Sequence, residues 1–234
     1  MLFNVFSDAE KFSDLLKVML TGILPTVRIF GFTILLSIPL GILLAAGRVS
    51  KVKILRMPIS VYIYLIRSTP LMLQLLFSYF LLSRLEWSPV LRFLFGDKRG
   101  SFPIRCIISM FSLNYAAYFA EIFRGGIQSI PVGQREAGQV LGMTRGQTFF
   151  HVILPQMAKR VLLPVSNEVI TLVKDTSLAN VIAVAELFRA AKNEASRTAS
   201  VEPLFVAGLF YLLMNGAVSL VFGCLNRRMA YYKD

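Results

Sequence analysis

Charge, histidine and cysteine are all scarce in this chain, and each shortage excludes something. Charged residues make up 16% of its 234 residues, against about a quarter in soluble domains. Hydrophobic residues reach 56% and the mean hydropathy is +0.64. So few polar side chains cannot cover a water-soluble globule of this size, so lipid must cover much of the surface. The single histidine, His151, leaves a metal site without its usual ligands. Cys106 and Cys224 lie in or beside apolar runs and read as small core residues, not as a disulfide or metal pair. A membrane-embedded enzyme would need a nucleophile–base pair or a metal cluster, and these residues offer little toward either. The start of the chain has no signal-peptide pattern, because Asp8, Glu10 and Asp14 interrupt it. No internal repeat is visible, which weighs against an ion-gradient-driven transporter of small polar solutes, the principal alternative.

What the chain has is positive charge and long apolar runs. The formal net charge of +12 is spread among loops. It therefore reads as contact with anionic head groups and the cytoplasm, not as a nucleic-acid face. Five stretches approach the roughly 20 apolar residues that cross a bilayer: 21–46, 57–83, 104–123, 162–187 and 203–225. Arg67 and Pro70 interrupt the second, and Glu168, Lys174 and Asp175 the fourth. The expected fold is thus all-α and polytopic, with about five transmembrane helices.

The flanks give an orientation. Arg48, Lys51, Lys53 and Arg56 crowd the first loop without an acid, and Arg124, Arg135, Arg145, Lys159 and Arg160 face Glu136 alone. These segments and the tail, with Arg227, Arg228 and Lys233, alternate so as to share one side. The positive-inside tendency makes that side cytoplasmic. Residues 1–20 are then expected outside, 21–228 form the membrane domain, and 229–234 are a cytoplasmic tail.

The segment 129–155 between the third and fourth spans carries the most information. About 35 residues separate those spans, long for a simple turn. Pro131 suits the first turn of a helix that Val132 to Leu141 can continue. Gly142 can take the left-handed conformation that ends it. Thr144 and Gln147 have capping-box spacing for a second helix, apolar along Phe149, Phe150, Val152 and Ile153 and limited by Pro155. Two short helices with a bend at Gly142 fit either a groove on a partner protein or the lipid surface.

Here a resemblance decides. Glu136-Ala137-Gly138, Gly142, Val152 and Leu154-Pro155 resemble, in register, the coupling loop of ATP-binding-cassette importers. That pattern reads Glu-Ala-Ala, three residues, Gly, nine residues, Ile, one residue, Leu-Pro. Gly138 replaces the second Ala and Val152 the Ile. Arg67-Ser-Thr-Pro70 with Gln74, Glu121 to Pro131, and Lys174-Asp-Thr-Ser-Leu178 are similar to the polar amino-acid uptake subgroup (histidine, glutamine, arginine and cystine types), although Ser68 stands where Gly is usual. The resemblance implies a permease subunit of the bacterial inner membrane, paired with a second copy or a paralogue. Its implied partners are two ATP-binding subunits, an extracytoplasmic solute-binding protein, a polar amino acid and membrane lipid, with no nucleic acid. It makes Glu136, Ala137, Gly138, Gly142, Leu154 and Pro155 the ATPase-coupling residues. The chain has no Gly-x-x-x-x-Gly-Lys-Ser/Thr loop. ATP and Mg are therefore expected on the partner, with no cofactor and no enzymatic activity on this chain.

Ionisable groups within spans are costly and point to function. Asn114 and Glu121 lie seven apart on one helix face with Tyr118, and Glu168, Thr171 and Asp175 share a face at i, i+3 and i+7. These five, Tyr118 aside, are the candidate substrate pathway. In the competing structural reading Glu121 pairs with Arg124 at i+3 and Lys174 neutralises a carboxylate on a neighbouring helix. Asp175 could also cap a helix that restarts within the span. Arg67 either faces the cavity, where it would attract a carboxylate, or snorkels or packs, the role preferred slightly from the sequence.

Overall fold

The computed structural model describes residues 9–85, 89–95 and 100–229, the side chains of 92–94 excepted. Residues 1–8 of the expected external segment and 230–234 of the expected tail lie outside the described residues. Among the described residues every regular element is helical: α1 (Ala9–Val49), α2 (Lys53–Ser68), α3 (Leu71–Arg84), α4 (Pro89–Phe95), α5 (Phe102–Ser129), α6 (Val132–Val140), α7 (Arg145–Thr148), α8 (Leu154–Asp175), α9 (Leu187–Thr198) and α10 (Glu202–Arg228). A π-turn at Phe149–Ile153 joins α7 to α8, and a 3₁₀ turn at Thr176–Ile182 follows α8. Three of these, α1, α5 and α10, are long and apolar enough to span a membrane, and α2 with α3 can form a fourth, broken span.

The face each long helix hides explains why this is a membrane fold. Along α1 from Leu15 to Ala45 the buried positions are Leu15, Met19, Gly22, Thr26, Ile29, Thr33, Ser37, Gly41 and Ala45, a single stripe at spacings of three and four. Many of those residues are small or hydroxylic. Large apolar side chains point the other way, with Leu35 64% and Leu43 68% exposed. That polarity is the reverse of a soluble helix and is what hydrocarbon demands: small residues where helices meet, bulky ones toward lipid.

Two of the expected spans are interrupted. Pro70 has no N–H to give and forces Thr69 away from helical geometry, so the expected span 57–83 divides into α2 and α3. Gln74 Nε2 donates to Thr69 Oγ1 (2.7 Å) and to Thr69 O (3.1 Å), using the carbonyl the break exposes. The stretch 162–187 is not one helix either. α8 stops at Asp175, carries Lys159, Arg160, Glu168, Lys174 and Asp175, and tightens into 3₁₀ geometry. Asp175 makes no side-chain capping bond to that turn, so the capping role open to it from the sequence is not formed.

The chain divides into two compact units. The first comprises Met1–Leu35, Thr69–Ser112 and Thr171–Gly216; the second comprises Leu36–Ser68, Leu113–Ile170 and Ala217–Asp234. In the first, Leu15, Met19, Leu187, Ala191, Val206 and Ala207 form a core. Gly22 permits its closest approach: a Cβ there would lie 2.6 Å from Leu187 Cα. Thr26 Oγ1 donates to Gly22 O (2.8 Å) and accepts from Leu187 N (3.1 Å). In the second unit Ile63, Ala117 and Ala120 pack together, and the Tyr62 hydroxyl donates to Leu113 O at 2.7 Å.

Candidate functional site: a braced helical loop and a mixed-charge hollow

The segment 129–155 lies within the second unit and is built in layers. α6 starts after Pro131, which occupies the capping position one residue before the expected first turn. At its other end Gly142 adopts φ +72°, where L side chains are strained, and Met143 N donates to Gly138 O (2.9 Å). Thr144 then closes the expected capping box with Gln147: Thr144 N donates to Gln147 Oε1 (2.8 Å) and Gln147 N to Thr144 Oγ1 (3.3 Å). Pro155 does not end the second helix. The π-turn Phe149–Ile153 carries the chain straight into α8. Proline has no N–H to lose, so the turn before it can widen to i→i+5 bonding.

Two glycines of the segment serve different ends. Gly142 is in open space and is needed for its conformation. Gly138 is buried and needed for its missing side chain, since a Cβ would sit 2.7 Å from Thr148 Oγ1. Thr148 cannot easily yield, because its hydroxyl donates to Thr144 O at 3.0 Å and β-branching limits its rotamers. Gln156 Nε2 donates to Gln134 Oε1 (3.2 Å), and Arg160 donates to Ser129 O at the end of α5. Glu136 and Ala137 are exposed, as are Val132, Val140 (87%) and Leu141 (77%), while Leu154 and Pro155 are half-buried. The result is a rigid bend presenting a mostly apolar face centred on one carboxylate.

The same unit holds a hollow of about 490 Å³ lined by Arg67, Tyr118, Glu121, Ser129, Arg160 and Glu168, among others. A neighbouring one of about 440 Å³ shares Arg67, Tyr118 and Glu121 and adds Arg48, Ser60 and Tyr64. Glu121 Oε2 accepts from Arg124 Nε (3.0 Å) and Nη2 (2.5 Å), and Arg124 Nη1 donates to Gln128 Oε1 (2.6 Å). Glu121 Oε1 lies 3.5 Å from Arg48 Nε. The Arg67 guanidinium sits 5.1 Å from the centre of the Tyr118 ring, a cation–π contact.

Of the five candidate pathway residues, the structure brings Glu121 and Glu168 to one hollow. Asn114 is buried on the same helix as Glu121 and does not line either hollow. Thr171 and Asp175 are half-buried and belong to the first unit. The i+3 pair of Glu121 with Arg124 is formed. Arg48 and Arg160 were not singled out as hollow residues, since the first follows and the second precedes an apolar run and both read as loop charges. Arg67 lines both hollows and at the same time packs on Tyr118, so the cavity-facing and packing readings left open by the sequence coexist.

Comparison with known proteins agrees with this architecture. Residues 37–231 match the family described as binding-protein-dependent transport system inner membrane component. The chain belongs to this family. Both the loop and the hollow fall inside the matched residues. Relatives include the L-cystine transport system permease TcyB of Bacillus subtilis (strain 168), 38% identical over 215 residues, covering 90% of this chain and 86% of that protein. The octopine transport system permease OccM of Rhizobium radiobacter is 37% identical over 216 residues, 89% and 84% of the two chains. Among solved structures, an amino acid ABC transporter crystallised with histidines superposes with a TM-score of 0.78 at 28% identity, covering 94% of this chain and 98% of that one. An inward-facing MetNI methionine ABC transporter shares the fold with a TM-score of 0.73, over 92% and 98% of the chains, at 16% identity.

Proposed function

We propose that this chain is the permease subunit of an ATP-driven importer of polar amino acids, docked through the 129–155 loop onto a separate ATPase. The carrying observation is the braced bend itself. Val132, Glu136 and Val140 recur every four residues on the exposed face of α6, with Ala137 and Leu141 beside them. Gly138 against Thr148 and the left-handed Gly142 hold that face against α7. A docked element must be stiff, because only a rigid lever converts a partner's movement into a shift of the permease between inward- and outward-facing states.

The cargo class rests on the kinship with cystine and octopine permeases and on the hollow's chemistry. Arg67 and Arg160 offer donors to a carboxylate, and Glu121 and Glu168 offer acceptors to an amino group. Both signs in one hollow suit a zwitterion. Asn114, Thr171 and Asp175 remain candidate pathway residues on the same helices. In this reading the N-terminus faces outward and the C-terminus the cytoplasm. The complex holds two permeases, identical or paralogous, two ATPase subunits carrying ATP and Mg, and an external solute-binding protein.

The test is reconstitution of the permease with its co-purified ATPase in vesicles. Uptake of radiolabelled glutamine, arginine, histidine or cystine should require ATP and the binding protein. Uptake driven by an ion gradient, with no ATPase bound, would sink the reading.

A further inference from the structure

Beside the docking face lies a second feature that the importer reading does not use. A cavity of about 360 Å³ is lined by Lys51, Arg135, Gln139, Arg145, Thr148, Phe149 and Ile153, all of the second unit. Three of the seven are cations and none is an acid. Among the described residues, no ion pair or hydrogen bond to another side chain neutralises Lys51, Arg135 or Arg145. All three are exposed, so solvent screens much of their mutual repulsion, and an anion placed among them would relieve the rest. Arg135 and Gln139, four apart, lie on a row of α6 next to the Glu136–Val140 row, so the cavity flanks the docking face without being part of it. Phe149 and Ile153 come from the π-turn, a rare geometry that is frequent at functional positions. They give the cationic rim an apolar floor.

We propose that this cavity binds a phosphate-bearing anion, with Lys51, Arg135 and Arg145 as its ligands. The planar forks of two arginines can each pair two oxygens of a phosphate, and lysine supplies a mobile point charge. Gln139 adds an amide donor. The volume takes a head group and leaves the apolar floor for a glycerol or acyl stem. A bound anion would fasten the α1–α2 loop, α6 and the start of α7 together, stiffening the bend from behind. The chemistry is the same whether the phosphate belongs to a membrane lipid or to a soluble anion.

The experiment uses the full chain in nanodiscs, with and without its ATPase. Lipid retention is read by native mass spectrometry in mixed phosphatidylcholine and phosphatidylglycerol. Radiolabelled inorganic phosphate binding is read in phosphatidylcholine alone. Preferential retention of phosphatidylglycerol, reduced at least about ten-fold in the K51Q/R135Q/R145Q variant, supports the site with a lipid source. Saturable phosphate binding lost in the same variant supports it with a soluble source. The R135K/R145K variant keeps the charge and should retain most of the binding, so misfolding of the glutamine variant is separable from loss of ligands. If neither anion distinguishes the wild type from the glutamine variant, the proposal is overturned. It is equally overturned if the cations are shielded from solvent reagents only when the ATPase is bound and neither anion binds, since the cavity then receives the partner's acidic side chains. Neither readout depends on ATP-driven uptake, so a failed importer reading would leave this test intact.

Discussion

Gly138 and Thr148 fit together with no room to spare: a methyl group on Gly138 would lie 2.7 Å from Thr148 Oγ1 and 2.8 Å from Cγ2. The coupling-loop pattern that this segment resembles has alanine at this place, whereas here the glycine leaves room for the threonine opposite. Gly138→Ala alone should overpack the bend and destabilise it by about 1–3 kcal/mol, with a loss of ATP-driven uptake. Gly138→Ala with Thr148→Ala should recover most of both. A double-mutant cycle on thermal unfolding checks this, and additive effects would break the pairing.

Gly142 tests conformation without sterics. A Cβ there meets nothing within 4 Å, yet φ is +72°. Gly142→Val should therefore cost about 1–2 kcal/mol of backbone strain, reorient α6, and uncouple ATP hydrolysis from uptake. Gly142→Asn, which tolerates the left-handed region, should stay close to wild type. Full uptake by the valine variant in reconstituted vesicles would remove the glycine from the coupling role.

The bend was legible in the sequence because its signals are local. Capping-box spacing, a helix-ending glycine and proline near a helix start each act within four residues. Pro155 misled for the same reason: a proline reads as a stop unless the preceding turn widens, and nothing local announces a π-turn. The long apolar runs gave the all-helical membrane fold, and Pro70 marked the break in the second span. The stripe of small residues along α1 acquires meaning only once neighbouring helices are placed. The hollow was half legible. Glu121 and Glu168 stood out as charges in apolar runs, but Arg48 and Arg160 reach it from positions that look like loop flanks.

Glu121 is held by two arginines, with Arg124 on Oε2 and Arg48 3.5 Å from Oε1. Its side chain is 16% exposed and theirs about a third, so the ions are partly screened and the pair is worth less than a fully buried one. Glu121→Gln should leave both guanidiniums less compensated and lower stability by about 1–3 kcal/mol. Glu121→Gln with Arg124→Gln should recover part of the loss in thermal unfolding. Unchanged stability in the single variant would mean that solvent already compensates both arginines.

Glu186 makes the corresponding argument in the first unit. It is fully buried and caps α9: Oε2 accepts from Phe188 N and Oε1 from Arg189 N, each at 2.7 Å, while the Tyr211 hydroxyl donates to Oε2 at 3.1 Å. Three donors converge on one side chain, so removing it orphans the two amides and leaves the Tyr211 hydroxyl with Thr176 alone. Glu186→Ala should cost about 2–4 kcal/mol, the loss of a cap plus one buried hydroxyl bond. Glu186→Gln keeps an acceptor for one of the two amides and should fall between. Tyr211→Phe removes only one donor and should cost about 1 kcal/mol. Melting temperatures of the three variants in one detergent should rank in that order, and a tyrosine variant worse than the alanine variant would show that Tyr211, not Glu186, anchors this corner.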